Sequence, residues 1–135
     1  MGNKLVVLIV DDHTDVLISL GSFFETLPHV TTLSANSFGR AAVWIEAENR
    51  IDLVVANVRL KGEFNGLHVA ELTAASHPDV AVMMMSGEER SRIRGLPDHF
   101  ALIQKPFGVE AMLKHVDDAF VRRHESFAAA QKNKG

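Results

Sequence analysis

Leu5-Val6-Val7-Leu8-Ile9-Val10-Asp11-Asp12 sets six apolar residues, several of them β-branched, directly before two carboxylates. An apolar run of this length without alternation is the pattern of a strand buried on both faces of a parallel sheet. It is too short to cross a bilayer, and acids follow it where a signal peptide carries small residues, so no targeting segment is read. Asp52-Leu53-Val54-Val55-Ala56-Asn57 and Val80-Ala81-Val82-Met83-Met84-Met85 are comparable runs; Val30-Thr31-Thr32-Leu33 and Phe100-Ala101-Leu102-Ile103 are shorter and weaker. Together they predict five strands.

Between the runs the apolar spacing turns helical. Val16, Leu17, Leu20, Phe23, Phe24 and Leu27 mark a first helix closed by Pro28, Ala41, Ala42 and Ile45 a second, and Leu67, Val69, Ala70 and Leu72 a third ahead of Pro78. Residues 88–96 are polar and poorly patterned, which predicts a short or loose helix. A last helix is expected over residues 109–130, with Met112, Leu113, Val116, Ala119 and Phe120 on one face. Strands alternating with helices at this spacing imply right-handed βαβ units, hence an α/β fold: a doubly wound five-stranded parallel sheet with helices on both faces. The expected division is one domain over residues 1–130 and a small polar, disordered tail over 131–135, with no room for an output domain.

A hydrophobic share of 47% with 23% charged residues is ordinary for a globular chain. The formal charge of −3 supplies no basic field for nucleic acid, and Arg90, Arg92 and Arg94 are diluted by Glu88, Glu89 and Asp98. Neither direct nucleic-acid binding nor a membrane association is expected. The absence of cysteine excludes disulfides, thiolate catalysis and Cys-ligated zinc, and the expected compartment is the cytoplasm. His13, His29, His68, His77, His99, His115 and His124 lack ligand spacing on a shared face and read as solvated surface residues.

In a sheet of this kind the ligand site lies beyond the carboxyl ends of the central strands, where strand order reverses. Those ends carry Asp11-Asp12, Asn57, Ser86-Gly87 and Gln104-Lys105-Pro106-Phe107. The acid pair suits a hard cation such as Mg2+, though Asp12 or Thr14 equally suits the N-cap of the first helix. Lys105 is placed to pair with those acids and with an incoming phosphoryl group, or is a plain exposed lysine. Ser86 suits either a hydroxyl donor to a phosphoryl oxygen or a helix cap.

This ordered set, over nearly the full chain, resembles the response-regulator receiver domain of two-component signalling, and in particular its stand-alone, chemotaxis-regulator-like form with a flavodoxin-like sheet. The resemblance implies an acceptor aspartate that takes a phosphoryl group from a histidine kinase or phosphotransfer protein. It matches Asp11 and Asp12 to the acid pair that holds Mg2+, the backbone carbonyl of Arg59 to a further ligand, Ser86 to the switch hydroxyl and Lys105 to the phosphate-pairing lysine. Phe107 completes the Lys-Pro-Phe signature.

The chain departs from that pattern at the acceptor itself, which falls five residues after Asp52, on Asn57. An amide is neutral with a delocalised lone pair, so it forms no acyl phosphate, and losing a carboxylate weakens Mg2+ binding. Asn57 is either natural or an aspartate deliberately replaced. Leu102 stands where the family carries its aromatic switch residue, unless Phe100 substitutes for it. Lys61 replaces a usual proline in a loop one residue longer than common, which is expected to be more mobile. The expected function is a phosphorelay module acting by protein–protein contact, as monomer or weak homodimer, through residues 88–96, the strand at Leu102 and the helix from Val109. In the dimer Arg90, Arg92 and Arg94 would meet Glu110, Asp117 and Asp118. Alternatives are a conventional phospho-accepting receiver carrying an engineered asparagine, a metal-dependent phosphohydrolase with Asp11 as nucleophile, whose Asp-x-Asp pattern His13 breaks, and, weakest, a flavin-binding protein, whose phosphate the acidic first loop would repel.

Overall fold

A computed structural model describes the backbone of residues 4–134 and the side chains of residues 4–123. The five apolar runs form strands β1 (Leu5–Val10), β2 (Val30–Ala35), β3 (Leu53–Asn57), β4 (Ala81–Ser86) and β5 (Ala101–Gln104). All pair in parallel, in the order β2-β1-β3-β4-β5, so strand order reverses beside β1. The helices are α1 (Thr14–Glu25), α2 (Phe38–Ala47), α3 (Gly66–Ser76) and α4 (Val109–Lys134).

The unalternating runs are explained by two cores. On one face Leu8, Val10, Val54, Ala56, Val82 and Met84 pack under α2 and α3. On the other, Val7, Ile9, Val55, Met83 and Met85 meet Leu20 and Phe24 of α1 and Met112 and Ala119 of α4. Each of the larger side chains here contributes roughly 1.5–3 kcal/mol on leaving water. The expected α/β class, sheet and helix layers are the ones observed. Among the described residues no helix is long and apolar enough to cross a membrane.

The region between β4 and β5 is where the structure differs. Instead of a short helix it holds a single 3-10 turn, Arg90–Arg92. Residues 88–96 supply only Ile93 and Leu96 for burial, and Gly95 takes a left-handed φ of 75°, so a continued helix has neither a stripe nor a backbone to follow. The connection closes instead on Arg90, whose guanidinium donates to the carbonyls of Pro97 and Phe100. Burial, with Arg122 adding and Asp98 and Asp118 opposing, pulls this guanidinium below its ordinary value. Helix α4 begins at Val109 as expected, but its backbone runs on to Lys134, past the expected end at residue 130 and through most of the segment expected as a disordered tail; the side chains of residues 124–135, His124 among them, lie outside the described residues.

Candidate functional site

The strand ends converge on an open cleft of about 600 Å3 lined by Asp12, His13, Asn57, Arg59, Ser86 and Lys105, among others. Asp11 directly follows β1 and has no exposed surface at all. Burying a carboxylate is costly unless it is paired and hydrogen-bonded. Here Lys105 Nζ stands 3.2 Å from Asp11 Oδ2, and the backbone N–H of His13 donates to Asp11 Oδ1 at 2.9 Å. Lys105 follows β5, three strands from β1, at the same carboxyl end of the sheet, and its long side chain reaches back over the strand ends while its N–H continues the ladder to the Ser86 carbonyl at 2.8 Å.

Neither Asp12 nor Thr14 caps α1: the N-cap is His13, whose side chain makes no cap bond. Asp12 Oδ2 instead accepts from the Lys61 N–H at 2.8 Å across the cleft. Asn57 is also nearly buried, and its Nδ2 donates to the Arg59 carbonyl at 2.7 Å. Ser86 Oγ accepts from the Glu88 N–H at 2.9 Å, a cap-like turn at the end of β4, and Glu88 pairs with the Arg59 guanidinium.

The histidines are not all free surface groups. His13 is mostly exposed, yet its Nδ1 lies 2.9 Å from Asp11 Oδ1 and 3.1 Å from Asp12 Oδ1. Nδ1 has one hydrogen to give and Asp11 is its hydrogen-bond partner, so Asp12 Oδ1 stays buried with no hydrogen bond of its own. His77 is buried against the Ile45 carbonyl, and His68 closes a capping box with Asn65 at the start of α3. Adjacency to the acid pair at a helix start was the signal for His13; an absence of periodic ligand spacing hid it.

One ligand atom from each of Asp11, Asp12 and His13 lies within 4.8 Å of the others. The orphaned Asp12 oxygen suits a cation, and Mg2+ demands near-octahedral oxygen ligands. The rest of the set does not fit one: the Arg59 carbonyl is bound to Asn57 Nδ2, and both Asp11 oxygens are engaged by Lys105 and His13. Asp11, wholly buried and paired, is also badly placed for attack on a substrate phosphorus.

Further features fall outside the sequence reading. Residues 58–65 are tied down rather than loose: besides the bonds from Asn57 and Asp12, the Gly66 N–H donates to the Val58 carbonyl at 2.8 Å, and Phe64 stacks on Phe38 with ring centres 4.6 Å apart. A Cβ on Gly66 would stand 1.8 Å from the Asn57 carbonyl oxygen, so α3 approaches β3 as only glycine allows. Phe100 is 3% exposed and packs in the core, while Leu102 is half-buried. Within the chain Arg90 donates to the carbonyl of Phe100, and Asp118 pairs with Arg122 at 2.9 Å.

Among curated proteins none matches the sequence. Solved structures share the fold: a response regulator receiver protein from Sinorhizobium medicae has 21% identity and a TM-score of 0.77, over 89% of this chain and 97% of its own. A CheY-like receiver domain protein from Methanospirillum hungatei has 21% identity and a TM-score of 0.75, over 92% and 99%. The signal receiver domain of an HD domain-containing protein from Pseudomonas fluorescens has 17% identity and a TM-score of 0.77, over 95% of each chain. The response regulator receiver domain family matches residues 7–117, which is most of the sequence and holds every residue of the cleft, and the chain belongs to that family.

Proposed function

We propose that this chain is a receiver that signals through protein–protein contact and takes no phosphoryl group at Asn57, the acceptor position. The observation that carries the reading is the amide at the end of β3. It shares the cleft with Asp12, Ser86 and Lys105, where the receiver pattern puts its nucleophile, and its nitrogen is bound to the Arg59 carbonyl. A neutral amide neither attacks phosphorus nor supplies the third carboxylate for a cation. With both Asp11 oxygens and the Arg59 carbonyl already engaged, the Mg2+ binding expected of Asp11 and Asp12 is weak at best, and Ser86 and Lys105 are left to shape the cleft. With Leu102 in the place of the aromatic switch, the side-chain rotation that reports phosphorylation is missing as well.

The module is not an enzyme in this reading. It works in the cytoplasm with a histidine kinase or phosphotransfer protein and a downstream protein, without direct contact to nucleic acid or membrane, as a monomer or weak homodimer. A second reading has one observation in its favour: Asp12, Ser86 and Lys105 line the cleft and Asp11 is paired with Lys105 beneath it, as in a phospho-accepting receiver whose aspartate has been replaced. Intact mass after incubation with acetyl phosphate and Mg2+ tests the first reading. The chain gains nothing and Asn57→Asp gains one phosphoryl group; a gain on the unaltered chain sinks the proposal.

A further inference from the structure

Loop 58–65 between β3 and α3 is fastened by the side chains that the receiver pattern assigns to the cation. Asp12 Oδ2 takes the Lys61 N–H at 2.8 Å, and Asn57 Nδ2 gives to the Arg59 carbonyl at 2.7 Å. From Arg59 the connection continues. Its guanidinium pairs with Glu88, whose backbone N–H is bound to Ser86 Oγ at the end of β4.

We propose that Asn57 is a positioning residue that stands in for the divalent cation: its amide bridges β3 to the Arg59 carbonyl and so fixes loop 58–65 without cation or phosphoryl group. Through the Arg59–Glu88 pair it also steadies the start of residues 88–100. This rests on reading Asn57 as the occupant of the acceptor position. The chemistry of the two side chains explains the difference. An amide has N–H donors, so it can hold a carbonyl oxygen directly. A carboxylate has only acceptors, and at the same distance it repels the carbonyl until a cation lies between them. A receiver with aspartate here thus has a loop whose order depends on its metal, and this chain has one whose order does not. The Arg59 side chain is 83% exposed, so its ion pair is weak and the effect fades from loop 58–65 toward residues 88–100.

Amide hydrogen exchange on the full chain separates these cases, with the native sequence, Asn57→Asp and Asn57→Ala each measured in chelator and in millimolar Mg2+. In the native chain, protection of 58–65 is the same in both. Asn57→Asp exchanges there about tenfold faster in chelator, the factor for one lost hydrogen bond, and recovers in Mg2+. Asn57→Ala is as fast and does not recover. A merely structural role would make the two variants alike, with no rescue by Mg2+. The proposal is overturned if Asn57→Asp is as protected in chelator as the native chain, if Mg2+ fails to restore it, or if Mg2+ tightens the native loop. Should Asn57→Ala not fold, Asn57→Asp with and without Mg2+ still decides. Phosphorylation of the native chain, read separately by mass, would overturn the functional reading while leaving this exchange pattern as its own test.

Discussion

Residues 58–65 and residues 87–100 both leave the carboxyl edge of the sheet and rim the same cleft, yet they are held in opposite ways. The first loop is fixed from outside, by Asn57 and Asp12 and by the close seat of Gly66 on β3. The second is fixed from within, by Arg90 folded back on the carbonyls of Pro97 and Phe100. One loop therefore reports on the chemistry of the pocket. The other keeps its shape by its own bonds and touches the pocket at Gly87 and Glu88, just after Ser86.

The largest effect that would break this contrast is at Gly66. Gly66→Ala forces a methyl into the Asn57 carbonyl, so α3 must move off β3, and stability falls by about 3 kcal/mol in a denaturant titration. A loss well under 1 kcal/mol would mean that the seat of α3 is not tight. Arg90→Ala comes next: it strips two carbonyls of their donor and costs about 2 kcal/mol, with faster exchange over 87–100 and none over 58–65. If 58–65 loosens as much, the two loops are one unit and the contrast is wrong.

The same contrast decides what could be read from sequence. The sheet was legible because β1, β3 and β4 are buried on both faces, which leaves an apolar run with no alternation to confuse it. Asp11, Asp12, Asn57, Ser86 and Lys105 were legible because each directly ends or follows a strand, and strand ends meet in a parallel sheet. Residues 88–96 were not, since Arg90 acts through bonds to Pro97 and Phe100 that no periodicity encodes. His13 was passed over among scattered histidines although it borders the acids. Asp12 bonding to the Lys61 N–H escaped notice too, because the contact joins residues 49 apart in the chain.

The most direct measurement compares amide spectra of the native chain in Mg2+ alone and in Mg2+ with acetyl phosphate, beside Asn57→Asp under the same conditions. If the cleft is set without a phosphoryl group, residues 58–65 and 87–100 of the native chain keep their shifts while those of Asn57→Asp move. Movement of either segment in the native chain on adding acetyl phosphate would contradict the account.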